Sequence, residues 1–231
     1  MFRQLFNKLR GAAPAPPASG IREVMFGDLP LAEWPRPDSG LGDTAPWTWF
    51  VAAQQAMQEN NQAAAERALR RVLATEGLEA RQYLQAWQAL RELGHQPPPA
   101  QAKQVLGVVV EVGLEQGLDL VAAYADGTAR YYNYSGAGVV WERPDDSLAD
   151  PIQALLAAGE RVAAQIGPWE QPRPAAPAKG TARISMLTPS GLHFGQAPFD
   201  ALWQDALGGP VLAAAQELMQ ALIARSPAAA R

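Results

Sequence analysis

Hydrophobic positions recur every three or four residues from about Pro46 to Gly94, through "APWTWFVAAQQAMQEN", "NQAAAERALRRVLATEG" and "LEARQYLQAWQALRELG". That spacing predicts three short antiparallel helices, with breaks near Asn60-Asn61 and Gly77. Past "GHQPPPAQAK" the period changes. "QVLGVVVEVGL" is a strand by its β-branched content, and "LDLVAAYADGTARYYNYSGAGVVWE" supplies three more short strands through two turns. "SLADPIQALLAAGERVAAQIG" is a helix with Pro151 in its first turn and Ile152, Leu155, Leu156, Val162 and Ile166 on its buried side. "ARISMLTPSGLHFGQ" is a hairpin turning at Pro189-Ser190-Gly191. "FDALWQDALGGPVLAAAQELMQALIAR" is a helix interrupted at Gly208-Gly209-Pro210 and then resumed.

Four strands, a helix, two strands and a helix (ββββαββα) predict an α+β fold. Its antiparallel sheet has five to six short strands with helices packed on one face, preceded by the three-helix segment. The alanine-rich middle helix, followed by Tyr83, Leu84, Trp87 and Leu90, resembles a tetratricopeptide-type (TPR-like) hairpin, since alanine at a crossing lets helices approach closely. With no second copy at that period, it is one hairpin and not an array. The strand and helix order is similar to that of profilin-type or longin-type domains, with no shared motif. The chain divides into an N-terminal extension (1–44), the helical segment (45–100) and the α+β part (101–231).

The extension has its own pattern. "MFRQLFNKLR" places Phe2, Leu5, Phe6 and Leu9 on one side of a short basic helix, a candidate contact for a partner groove or for transient binding to an anionic membrane. Four buried apolar side chains offer roughly 6 to 12 kcal/mol, against roughly 10 to 20 kcal/mol for ordering ten residues, so the helix is no stable anchor alone. "GAAPAPPASG" is a semi-extended tether, and "IREVMFGDLPLAEWPRPDSG" is too apolar for free disorder and too broken for a regular element, so it should wrap over the domain.

Asp126-Gly127 predicts a two-residue type I′ hairpin. Its register pairs Tyr124 with Ala129, Ala122 with Tyr131 and Leu120 with Asn133. One face then holds Leu120, Ala122, Tyr124, Ala129, Tyr131 and Asn133; the other gathers Asp119, Arg130, Tyr132 and Tyr134. The second face is the candidate ligand surface, where Arg130 offers a planar fork and the tyrosines offer stacking. Glu111, a carboxylate inside "VVVEV", joins it as a residue that needs a partner if buried, with Arg130 or a tyrosine hydroxyl the candidate.

Composition narrows the chemistry. In 231 residues, 48% hydrophobic and 18% charged, with a net charge of -4, no global field attracts polyanions, which argues against nucleic acid. No cysteine and only two histidines, His95 and His193, exclude thiolate chemistry and a structural zinc site. No cofactor is implied, and there is no phosphate loop, nucleophile elbow or paired-histidine spacing. Thr188, Ser190 and His193 lie close in sequence without a local orienting carboxylate, and Asp145, Asp146 and Asp150 suit helix capping better than calcium. Arg67, Arg70 and Arg71 read as a solvated face. With no apolar run long enough to span a bilayer and no signal-peptide pattern, a cytoplasmic location is expected. The expected function is a non-catalytic interaction or adaptor module with another protein as partner. A small-molecule binder or enzyme using the Arg130, Tyr132 and Tyr134 face is the alternative, and a peripheral membrane protein held by residues 1–10 is a third reading.

Overall fold

The computed structural model describes residues 20–34 and 44–225; the predicted basic helix at Phe2, Leu5, Phe6 and Leu9 lies outside them. Helices α1 (Trp47–Gln58), α2 (Gln62–Leu73) and α3 (Ala80–Glu92) match the hydrophobic spacing. The breaks fall where expected. Asn61 caps α2 by accepting a hydrogen bond from the Ala64 N–H at 3.1 Å, and Phe50, Leu69, Val72, Trp87 and Leu90 form a core between the three helices. Arg70 pairs with Glu66 at 2.7 Å on the outer surface, and Arg71 lies over the Trp49 ring.

A short helix, α4 (Pro99–Ala102), leads to β1 (Gly107–Gly113), β2 (Leu118–Tyr124), β3 (Ala129–Tyr132) and β4 (Gly138–Trp141). Then follow α5 (Ala149–Gln165), β5 (Thr181–Thr188), β6 (Gly191–Pro198), α6 (Phe199–Gln204) and α7 (Gly208–Ala224). Six strands form one antiparallel sheet in the order β4-β3-β2-β1-β5-β6. β1 lies inside the sheet and is buried at all seven positions, which explains its run of valines: both of its faces are covered.

On one face Val108, Val110, Val121, Tyr131, Ile184 and Met186 pack against α5 and α7. Gly159 of α5 allows this closeness, since a Cβ there would sit 2.5 Å from a Val108 methyl. The other face is covered as well. There Met25, Phe26, Ala80 and Leu84 cover Leu106, Val109, Leu120, Ala122 and Tyr124. Residues 21–26 therefore lie over the sheet, and α3 joins the helical segment to it. Tyr124 donates its hydroxyl to the Met25 carbonyl at 2.7 Å. The C-terminal helix breaks earlier than expected, before Gly208. Asp205, in extended conformation, follows the first piece and accepts from the Leu207 and Gly208 amides at 2.9 and 2.7 Å, and the Gly-Gly-Pro run forms the first turn of α7.

The predicted hairpin register is off by one. β2 and β3 pair Leu120 with Tyr132, Val121 with Tyr131 and Ala122 with Arg130. The loop is Ala125-Asp126-Gly127, and Tyr124 donates to the Thr128 carbonyl at 3.0 Å. A type I′ turn needs positive φ at both Asp126 and Gly127, but only Gly127 has it, at 84°. Asp126 is held elsewhere. Its Oδ1 accepts from the Thr128 amide and hydroxyl at 2.8 and 2.7 Å, and its Oδ2 accepts from the Ala80 amide at the start of α3 at 2.7 Å. One carboxylate thus sets the turn and fastens it to a helix N-terminus. Replacing Asp126 with alanine is expected to cost about 1 to 2 kcal/mol, read as a lower urea midpoint with unchanged m-value; a midpoint shift within error would rule the tie out.

Candidate functional site

The register decides where the predicted site residues go. Because a one-residue slip reverses every side chain of a strand, Arg130 and Tyr132 share a face with Leu120, Ala122 and Tyr124, beneath the N-terminal stretch. Asp119 points to the opposite face with Val112 and Tyr131. The grouping of Asp119 with Arg130 and Tyr132 is thereby corrected. Tyr134 follows β3 in the turn, and its amide donates to Asp119 Oδ1 at 2.8 Å. Arg130 is 5% exposed and pairs with Glu142 Oε1 at 2.7 Å. Tyr131 approaches Asp119 Oδ2 only at 3.5 Å. Burial pushes the Asp119 carboxyl up to about 6, opposed by its hydrogen bonds from Tyr134 and Tyr131.

Glu111 is fully buried, and its partners are neither Arg130 nor a tyrosine. Arg22 reaches over the sheet from the wrapping stretch and donates Nε to Glu111 Oε1 at 2.5 Å, while Arg183 of β5 lies 3.5 Å from Oε2. Both arginines also donate to the Pro174 carbonyl, at 3.0 and 3.2 Å. Arg183 is held further by Gln196 Oε1. Arg173, from the connector between α5 and β5, stacks over Phe26 at 4.1 Å and pairs with Asp28 and Glu23, each at 2.6 Å. This network clamps two irregular segments, 22–28 and 173–174, onto the sheet.

The clamp forms one end of a cleft of about 1140 Å³. Leu187 and Leu192 of the β5–β6 hairpin line it beside Phe26, as do Leu84, Gln88 and Arg91 of α3 on one side and Trp169 to Arg173 on the other. Trp169 is fixed at the β6 edge: its amide donates to the Leu192 carbonyl at 2.6 Å and its ring meets Phe194 edge-on at 5.2 Å. Trp169 is nevertheless 44% exposed. None of Arg130, Tyr132, Tyr134, Asp119 or Glu111 lines this cleft. A second cleft, of about 530 Å³, lies between α2, α3 and α4, with Arg70, Tyr83, Trp87 and Gln101 on its surface. No signal in the local sequence marked the larger cleft, because each wall comes from a different part of the chain.

Thr188 and Ser190 stand at the cleft edge with their hydroxyls 3.0 Å apart. The Thr188 hydroxyl donates to the Gly191 carbonyl at 3.0 Å, and His193 Nδ1 is 3.4 Å from Thr188 Oγ1. His193 is fully buried, and among the described residues its Nε2 has no hydrogen-bond partner. Burial holds its pKa below the ordinary value, opposed by a hydrogen bond to Gly191. The Asp145–Asp150 stretch does not cap α5 with a side chain: Leu148 is the cap residue, Asp145 accepts from the Ser147 amide, and Asp146 pairs with Arg143. Among the described residues no group of three histidines or acidic residues is arranged to hold a metal ion, and no helix is long and apolar enough to cross a membrane. No protein-family model, no curated protein and no solved structure matches this chain.

Proposed function

We propose that the protein is a non-catalytic interaction module that takes a segment of another protein in the cleft between α3, the wrapping stretch and the connector before β5. The observation that carries this reading is the cleft itself. At about 1140 Å³ it exceeds the usual range of small-molecule pockets, roughly 300 to 1,000 Å³. Its lining mixes apolar side chains, among them Phe26, Leu84, Leu187 and Leu192, with charged and polar ones such as Arg91, Arg173 and Gln88, a mixture suited to holding a chain by side-chain anchors. Its walls are held by the Glu111 and Arg173 ion pairs, so it is formed before a partner arrives, which lowers the ordering cost of binding. Arg130, by contrast, is buried and already paired with Glu142.

A photo-reactive side chain tests this. Placed at Glu170 in the cleft wall, it should give a discrete conjugate with a partner protein in cells. Placed at Glu160, exposed on α5, it should give none. Equal labelling from both positions, or none from Glu170, would sink the proposal.

A further inference from the structure

Resting on that reading of the cleft, we propose that the bound segment is anchored by an acidic side chain whose carboxylate is received by Arg91. Three guanidinium groups line the cleft, and they differ in what they already hold. Arg22 is saturated: Nε and Nη2 serve Glu111, Nη2 also serves the Pro174 carbonyl, and Nη1 faces Glu23 at 3.5 Å. Arg173 gives Nε and Nη2 to Asp28 and Glu23, while its Nη1 is buried without a partner. Arg91 donates Nη1 to the Pro189 carbonyl at 2.6 Å and Nη2 to Gln88 Oε1, both neutral acceptors. Among the described residues no carboxylate lies within 4.0 Å of Arg91, whereas Arg22 and Arg173 each have two such partners.

A charged fork held only by neutral acceptors is satisfied best by a planar, anionic, two-oxygen acceptor. Charge complementarity also sets how many such groups fit. The three arginines share the cleft with Glu23, Asp28 and Glu170, so the lining has no excess positive charge to hold a polyanion, and Arg91, the one of the three without an ion pair among the described residues, has room for a single carboxylate. The chain's own leading segment does not match, since residues 1–10 carry Arg3, Lys8 and Arg10 and no acidic side chain.

The test pans a phage-displayed library of random peptides on the full chain and measures synthetic binders by calorimetry. Binders should share an acidic position. Changing that residue to its amide should weaken binding to the wild-type protein roughly tenfold to a hundredfold, as for a lost charge-assisted hydrogen bond. Arg91→Gln should weaken the acidic peptide similarly and leave the amide peptide nearly unchanged, and Arg91→Lys should restore part of the loss. The peptide-side change needs no protein variant, so it decides the matter even if Arg91→Gln folds poorly. Binders indifferent to both changes would overturn the acidic anchor and leave the cleft reading standing. Displacement by millimolar inorganic phosphate but not acetate would overturn the carboxylate in favour of a phosphate group. A library yielding no binder would overturn the cleft reading and the anchor with it.

Discussion

Replacing Glu111 with alanine is expected to cost about 3 to 5 kcal/mol, the range for removing one partner of a buried ion pair and leaving the other charge uncompensated. Glu111 is fully buried, and the Arg183 side chain is 4% exposed, so that guanidinium would have no easy route to water. Domains of ordinary stability hold about 5 to 15 kcal/mol, so the loss is a large fraction of the total. At roughly 2 to 4 °C per kcal/mol for a chain of this size, the melting temperature should fall by roughly 6 to 20 °C. Arg22→Ala should cost less, because the Arg22 side chain is 14% exposed and Glu111 keeps Arg183. The two variants should share one local effect. Loss of the Arg22 contact removes one of the ties between the 22–28 stretch and the sheet, so amide exchange there should quicken in both, before global unfolding. A Glu111→Ala protein within about 1 kcal/mol of the wild type would show that the carboxylate is neither buried nor paired as described.

What the sequence disclosed and what it hid divide along the range of the interactions. Helices α1 to α3 were legible because a single helix carries its own period, and the breaks at Asn60-Asn61 and Gly77 are local. The fold class followed from strand and helix order alone. The β2–β3 register was not legible, because Asp126 is recruited by the Ala80 amide, 46 residues away in sequence, and turn chemistry read in isolation does not include that pull. The partners of Glu111 were hidden for the same reason: Arg22 and Arg183 are 89 and 72 residues distant. The cleft lies deeper still beyond local reading, since residues 22–28, 84–96, 168–175 and 187–192 share no periodicity and meet only once the wrapping stretch and the connector cross the sheet. The tyrosines and Arg130 drew attention as a candidate surface because they are concentrated in sequence, whereas folding distributed them between two buried faces and a turn.

Asp119 supplies the second large effect, and its sign runs opposite to that of most carboxylates. Its folded-state value, about 6, stands above the ordinary 3.8, because burial penalises the ionised form more than the Tyr134 and Tyr131 hydrogen bonds favour it. The stability linked to its proton is therefore fully present below pH 3.8 and is lost as pH rises through about 6. At about 1.4 kcal/mol per pH unit, that gap amounts to about 3 kcal/mol. His193 acts in the reverse sense: its lowered value means that its contribution is intact above the ordinary 6.5 and is lost as pH falls. A pH profile of the wild type would blend the two with every surface carboxylate, so the informative quantity is a difference between proteins. Asp119→Asn keeps an acceptor for the Tyr134 amide and removes the charge. Relative to the wild type, it should gain about 3 kcal/mol of stability between pH 3.5 and pH 7.5, measured as the change in the two proteins' urea midpoints at constant m-value. A difference that stays flat across that range would mean that Asp119 ionises normally and that water reaches it behind β2.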